Sequence, residues 1–93
     1  MGDFEWDEAK SRANLAKHGI PLDVVPFAFE GPILSQRNDR HGEERWLAIG
    51  LLEGVAIAFA YTKRGDRIRI ISARRANRYE RENYLILARA HGR

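Results

Sequence analysis

Between Val55 and Thr62 the chain places large residues at Val55, Ile57, Phe59 and Tyr61 and alanines at positions 56, 58 and 60. Successive side chains of a strand point to opposite faces, so both faces of this segment are apolar. A strand of that kind is buried on both sides and belongs in the middle of a sheet, with other elements covering it above and below. The alanine face leaves room for a helix to pack closely. The chain has 93 residues, which supply a single domain, 1–93, with one core.

The flanking segments supply the rest of that domain. Phe4-Glu5-Trp6 reads as a short strand. Asp7 is placed to cap a helix running to about His18, because its carboxylate accepts first-turn amides. Gly19 stops that helix and Pro21 prevents its continuation. Its apolar face is thin, made of Ala9, Ala13, Leu15 and Ala16. A second helix is expected over Leu22 to Phe29, with Asp23 as its cap so that Pro26 falls in the first turn, where a missing amide costs nothing. Gly31-Pro32 ends it.

A meander follows: strands over Ile33–Arg37, Glu44–Leu51, Val55–Thr62 and Arg67–Ala73. The polar loop Asn38–Gly42, the turn Leu52-Glu53-Gly54 and the hairpin Lys63-Arg64-Gly65-Asp66 join them, with Gly65 available for positive φ. A terminal helix over Ala76–Ala90 sets Tyr84, Leu87, Ala88 and His91 on one side. The expected class is α+β, an antiparallel β-meander packed by N-terminal helices and a C-terminal helix in the order β-α-α-β-β-β-β-α.

Charge is unevenly spread. Residues 1–62 carry six basic and ten acidic side chains, and residues 63–93 carry ten and three, so a total of +3 conceals halves of −4 and +7. Such asymmetry points to nucleic acid or an acidic protein partner. The run Ile68–Ala76 concentrates it: Arg67 and Arg69 alternate with Ile68 and Ile70, and Arg74 and Arg75 close the strand. Guanidinium forks suit phosphates because each binds an anion through two hydrogen bonds.

No cysteine is present, which excludes disulfides, thiolate metal sites and a cysteine nucleophile. The three histidines, His18, His41 and His91, have no metal-ligand spacing, and neither a glycine-rich phosphate loop nor a serine elbow occurs. The start lacks a basic segment followed by an apolar one, so no signal peptide is visible. Trp6 stands where a myristoylation signal after Gly2 needs Ser or Thr, and the apolar run Val55–Tyr61 is too short to span a bilayer. A soluble cytoplasmic protein is the expectation.

Several ordered segments together resemble the BrnT toxins of bacterial type II toxin–antitoxin systems. These are Phe4-Glu5-Trp6-Asp7-Glu8-Ala9-Lys10 with Asn14 and Lys17-His18-Gly19, then Glu44-Arg45-Trp46 leading to Ile49-Gly50. Tyr61 to Gly65, Ile68 to Ala76, and Glu80 with Tyr84 complete the set. The resemblance covers residues 3 to about 85. It implies a RelE-like fold, a metal-independent ribonuclease that needs no cofactor, and a BrnA-type antitoxin with a ribbon-helix-helix part, through which alone DNA would be reached.

Metal-free RNA cleavage needs a base for the 2′-hydroxyl, an acid for the leaving 5′-oxygen and cations for the charge on phosphorus. Arg64, Arg69 and Arg74 are the candidate catalytic cations. Glu44, His41 and Tyr84 are candidates for proton transfer or for hydrogen bonding to phosphate. Lys63, Arg67, Arg75 and Arg78 are expected to contact RNA, and no metal ligand is expected. Imidazole titrates near neutrality, yet His18 at a helix end suits capping. Ser72 is expected to be packed or locally bonded, and Trp6 and Trp46 to belong to the core. A second reading keeps the basic half as a non-catalytic module that binds nucleic acid or protein.

Overall fold

The computed structural model describes residues 3–91, with the backbone alone at His91; Gly2 and the His91 side chain lie outside the described residues. The elements are β1 (Phe4–Glu5), α1 (Glu8–His18), a 3₁₀ helix (Leu22–Glu30), β2 (Leu34–Arg37), β3 (Trp46–Leu52), β4 (Val55–Arg64), β5 (Arg67–Arg75) and α2 (Arg78–His91). They form the expected α+β arrangement around one five-stranded sheet in the order β1-β5-β4-β3-β2. Among the described residues no helix is long and apolar enough to cross a membrane.

β4 lies at the centre, as its two apolar faces require. Ile57, Phe59 and Tyr61 pack on one side against Leu22, Val25 and Ala28 of the 3₁₀ helix. On the other side Ala56 joins Ile49 and Leu34 against Tyr84 and Ala88 of α2. The turns follow their residues. Glu53 and Gly54 both take positive φ, 50° and 80°, between the paired Leu52 and Val55, which is the geometry of a two-residue turn matching strand twist. Gly65, at φ 59°, plays that part between Arg64 and Arg67.

The meander is antiparallel from β2 to β5, but β1 adds to it in parallel, with Phe4 beside Ile68 and Glu5 beside Arg69. The sheet is therefore mixed. Parallel neighbours need a long crossover, here the whole chain between β1 and β5, so no local signal marks the pairing.

α1 is capped as expected. The Asp7 side chain accepts from the Lys10 amide at 3.0 Å, and Gly19, at φ 77°, donates its N–H to the Leu15 carbonyl. Its inner face differs from the expected one. Ala9, Ala13 and Ala16 are exposed, and Leu15 is 49% exposed. The helix is seated by polar groups instead. Ser11 Oγ accepts from the buried Leu22 amide at 2.8 Å. Asn14 Nδ2 donates to the carbonyls of Ile20 and Ala73 at 2.7 and 2.8 Å, while its Oδ1 accepts from the Ala73 amide. Hydrogen bonds to backbone groups that would otherwise be buried unpaired do here what apolar contact does elsewhere.

The second helix is a nine-residue 3₁₀ helix rather than an α-helix, and Pro21, not Asp23, stands at its cap position without a side-chain bond. Pro26 is buried inside it. A 3₁₀ helix has three residues per turn, and Leu22, Val25 and Ala28, three apart, are all at or below 1% exposure. Gly50 lets this helix approach: a Cβ there would meet Ile33 Cγ2 at 3.1 Å and Ala28 Cβ at 3.4 Å. α2 starts two residues later than expected because Asn77 caps it. Asn77 Oδ1 accepts from the Glu80 amide at 2.8 Å and Glu80 Oε1 accepts from the Asn77 amide at 2.9 Å, a reciprocal capping box.

Candidate functional site

Residues directly opposite one another in a sheet share a face, so the register sorts the basic side chains. Arg64 and Arg67 are partners, Arg69 is paired with Thr62, Ser72 with Ala60, and Arg74 with Ala58. All of these lie on the alanine face of β4. Strict alternation would put Arg69 and Arg74, five positions apart, on opposite faces. The ladder shifts between Ala60 and Tyr61, whose partners are Ser72 and Ile70, leaving Ile71 as the extra residue of a β-bulge. That one residue turns Ser72 and Arg74 to the side that carries Arg67 and Arg69, as bulges near functional sites commonly re-aim side chains.

α2 covers only part of this face. Beyond it a cleft of about 260 Å³ opens over Leu47, Ala60 and Ser72, rimmed by Asn38, Arg40, Arg45 and Arg74. The first three rim residues come from the hairpin joining β2 and β3. That loop carries the ladder on: the Asn38 amide bonds to the Arg45 carbonyl, Arg40 bridges to Glu43, and His41 and Gly42 form its tip at φ 51° and 77°. Thr62 fastens it to β4 through Oγ1 and the Glu44 carbonyl.

Each arginine of this face that is paired has a glutamate as its partner. Arg74 Nη1 and Nη2 donate to Glu80 Oε1 and Oε2, both at 2.9 Å; the Glu80 side chain is 13% exposed and that of Arg74 41%. The Arg74 fork is the main reason that the Glu80 carboxyl is held below its ordinary range, and Glu80 raises Arg74 in turn. Arg74 Nη1 also donates to the Arg75 carbonyl. A guanidinium has five N–H groups, so Nε–H and one Nη2–H remain along one edge of Arg74. Arg45 donates from Nε to Glu43 Oε1 at 2.7 Å, and Glu43 also lies 3.7 Å from Arg64 Nη2. The Arg45 bond is the chief cause that lowers the Glu43 carboxyl. Glu5 receives Arg69 Nη1 at 3.0 Å and sits 4.0 Å from Arg67 Nε.

Of the residues singled out in the sequence, Arg74 borders the cleft, and Arg64, Arg67 and Arg69 share its face. Among the others Ser72 alone lines it. Glu44 is turned away and pairs with Arg37 at 3.4 Å. His41 sits exposed at the hairpin tip, next to Arg40. Tyr84 is 2% exposed, its hydroxyl donates to the Pro32 carbonyl at 2.7 Å, and burial raises its pKa, so it packs α2 and does not reach the cleft. Lys63 lies over the Trp46 ring, 4.9 Å from its centroid, on the face opposite the cleft. Arg75 faces that side too, beside His18, and Arg78 pairs with Glu82 on the outside of α2. Ser72 is exposed on the cleft floor rather than packed, and Trp6 and Trp46 border the core half-buried. His18 is exposed, and the Leu15 carbonyl near it is taken by the Gly19 amide.

Arg40, Arg45 and Asn38 were not among the expected site residues. Their signal is the two-residue spacing of Asn38 and Arg40 and the pairing of Arg45 across a hairpin, legible only once the loop is known to continue the ladder. Arginines with unpaired N–H groups around a pocket floored by Leu47, Ala60 and Ser72 have the chemistry to seat a phosphodiester. A family model described as "Ribonuclease toxin, BrnT, of type II toxin-antitoxin system" matches residues 6–80, more than half of the chain. No curated protein matches the chain.

Proposed function

The chain belongs to the BrnT family of ribonuclease toxins of type II toxin–antitoxin systems, and we propose that it cleaves RNA without a metal in the cleft between Arg74, Arg45 and Arg40. The observation that carries this reading is the Arg74 guanidinium, fixed end-on by Glu80 with its Nε–Nη2 edge left for an anion. In the proposed step the 2′-oxygen of one nucleotide attacks the adjoining phosphorus as its proton leaves. The bond to the 5′-oxygen breaks and that oxygen takes up a proton, giving a 2′,3′-cyclic phosphate and a 5′-hydroxyl. Arg74 and Arg45 face the non-bridging oxygens and stabilise the charge that builds there. Preorganised cations of this kind supply a large share of catalysis in such reactions.

The carboxylates nearest the cleft, Glu43 and Glu80, are each engaged by arginines rather than converging on a common point, which suits a cation role for protein side chains. His41, at the hairpin tip beside Arg40, carries the ionisable group proposed for proton transfer. Arg64, Arg67 and Arg69 extend the basic face along which the RNA backbone runs, and the outcome of cleavage is arrest of translation and growth. Membership in the family implies an antitoxin partner. We assign it to the BrnA type, a ribbon-helix-helix protein whose acidic segment covers the arginine face and excludes RNA.

The test is cleavage of a labelled RNA by the purified chain in EDTA, beside an Arg74→Ala variant shown by circular dichroism to be folded. Scission by the first and not the second is expected. Scission by both removes Arg74 from the mechanism. Salt-sensitive RNA binding without scission by either favours the second reading, a non-catalytic basic module.

A further inference from the structure

A second recess adjoins the cleft on the same face of the sheet. It measures about 240 Å³ and lies between the first turns of α2 and strands β2 and β3. Leu34, Leu47 and Ile49 make its floor, and Tyr79, Gln36 and Asn83 its walls. Leu47 floors both spaces, and Glu80, which holds Arg74 of the cleft rim, borders this one. A phosphate seated on Arg74 therefore has this recess directly beside it.

We propose that the recess is a specificity pocket for the nucleobase adjoining the scissile phosphate, and that it takes a purine, adenine by preference. The inference rests on the cleft being the place of cleavage. Three features of the recess fit a base. Its floor is apolar, which suits the faces of a flat heterocycle. Tyr79 is 72% exposed, an unusual position for an aromatic ring that contributes nothing to the core, and bases stack on such rings. Gln36 on β2 and Asn83 on α2 bring primary amides to the opening, each with a donor and an acceptor. Asn77 borders the recess as well, but its side-chain oxygen is committed to the α2 cap.

The amide chemistry indicates the base. A carboxamide offers one N–H and one C=O side by side, the complement of adenine N7 and N6. Guanine presents two acceptors along that edge and is better matched by arginine. Pyrimidines have no N7 and offer a carboxamide only their N3 edge, so it is the N7–N6 edge of adenine that the pocket is proposed to read. Gln36 and Asn83 come from different elements, so a base between them is read from two directions while Tyr79 stacks on its plane.

The experiment uses DNA oligonucleotides carrying one ribonucleotide, which confines cleavage to a single phosphate, with each flanking base varied in turn. Adenine at one of the two flanking positions is expected to raise kcat/KM about tenfold over pyrimidine there, since a bidentate amide contact discriminates by roughly five- to a hundredfold. Gln36→Ala combined with Asn83→Ala should level the ranking. Tyr79→Ala should raise KM for every base, and Tyr79→Phe should restore it. These residues are exposed or half-buried, and thermal melts of the variants check that the fold is kept. A ranking that is the same in wild type and the double variant, or a KM unmoved by Tyr79→Ala, overturns the pocket while leaving the ribonuclease reading intact. If wild type cleaves none of these oligonucleotides, the base contact is judged separately from the ribonuclease reading, by anisotropy of a 2′-O-methyl oligonucleotide with adenine or an abasic site at each position. Weaker binding of the abasic form by wild type but not by Tyr79→Ala supports it, and equal binding overturns it.

Discussion

Glu80 holds Arg74 through two hydrogen bonds of 2.9 Å and, with the same Oε1, accepts the Asn77 amide at 2.9 Å that begins α2. One carboxylate thus fixes the edge of the cleft and the start of the helix beside it. Glutamine at this position keeps the cap, because its amide oxygen accepts the Asn77 N–H as a capping box allows, but it loses the charge and one of the two acceptors.

Glu80→Gln is accordingly expected to lower the RNA cleavage rate about tenfold or more while shifting stability by less than about 1 kcal/mol. A hydrogen bond to a charged group is worth roughly 1.5–3 kcal/mol, and here that energy orients the cation proposed to act on the phosphate. Single-turnover kinetics and thermal melts of the two proteins decide it. An unchanged rate would mean that Arg74 is positioned without Glu80.

The same pair makes stability depend on pH. The Glu80 carboxyl titrates below its ordinary value of 4.5, chiefly because of Arg74. A carboxyl with a depressed folded pKa stabilises the fold fully above the unfolded value and loses that contribution as pH falls through the folded one. Wild type should therefore exceed Glu80→Gln in urea midpoint at pH 6, and the gap should close progressively below pH 4.5. A gap that widens toward acid would contradict the ion pair.

Arg40 and Arg45 contribute N–H groups to the cleft rim and sit in a hairpin outside the core. Replacing either by alanine should weaken binding of a non-cleavable RNA across sequences. The slope of log affinity against log salt should become shallower by about one for each phosphate that the variant no longer neutralises. Fluorescence anisotropy at several salt concentrations measures both. Unaltered slopes would place the phosphate elsewhere.

Asn14 joins α1 to β5 through the Ile20 and Ala73 carbonyls and the Ala73 amide. Asn14→Ala leaves those backbone groups without partners and should cost about 1–3 kcal/mol. Asn14→Asp should not rescue it, because a carboxylate cannot donate to the two carbonyls. Urea unfolding of both variants gives the answer, and a loss of a few tenths of a kcal/mol would show that water replaces the side chain.

Much of the fold is local enough to be legible in the chain. The two-sided apolar pattern of Val55–Thr62 fixes β4 at the centre, Asp7 and Gly19 bound α1, and Glu53-Gly54 and Gly65-Asp66 set two hairpins, because turn chemistry and side-chain period act between near neighbours. The 3₁₀ helix was less legible. Leu22, Val25 and Ala28 carry its three-residue period, but Phe29 with Leu22 and Val25 satisfied a helical period nearly as well. The inner face of α1 is not legible locally, because Ser11 and Asn14 bond to backbone brought in from Leu22, Ile20 and Ala73.

The concentration of arginines in residues 63–93, and with it the expectation of a phosphate-binding protein, follows from the sequence by itself. Which of them cooperate was decided by tertiary structure. Alternation read along the strand separates Arg69 from Arg74, and the bulge at Ile71 reunites them. Arg69 meets Glu5 across 64 positions only because β1 pairs with β5 in parallel, and Arg40 and Arg45 reach the cleft only because the hairpin folds over β4. Side-chain period is a property of the chain, whereas register, bulges and charge partners arise from pairings between distant segments, which packing alone selects.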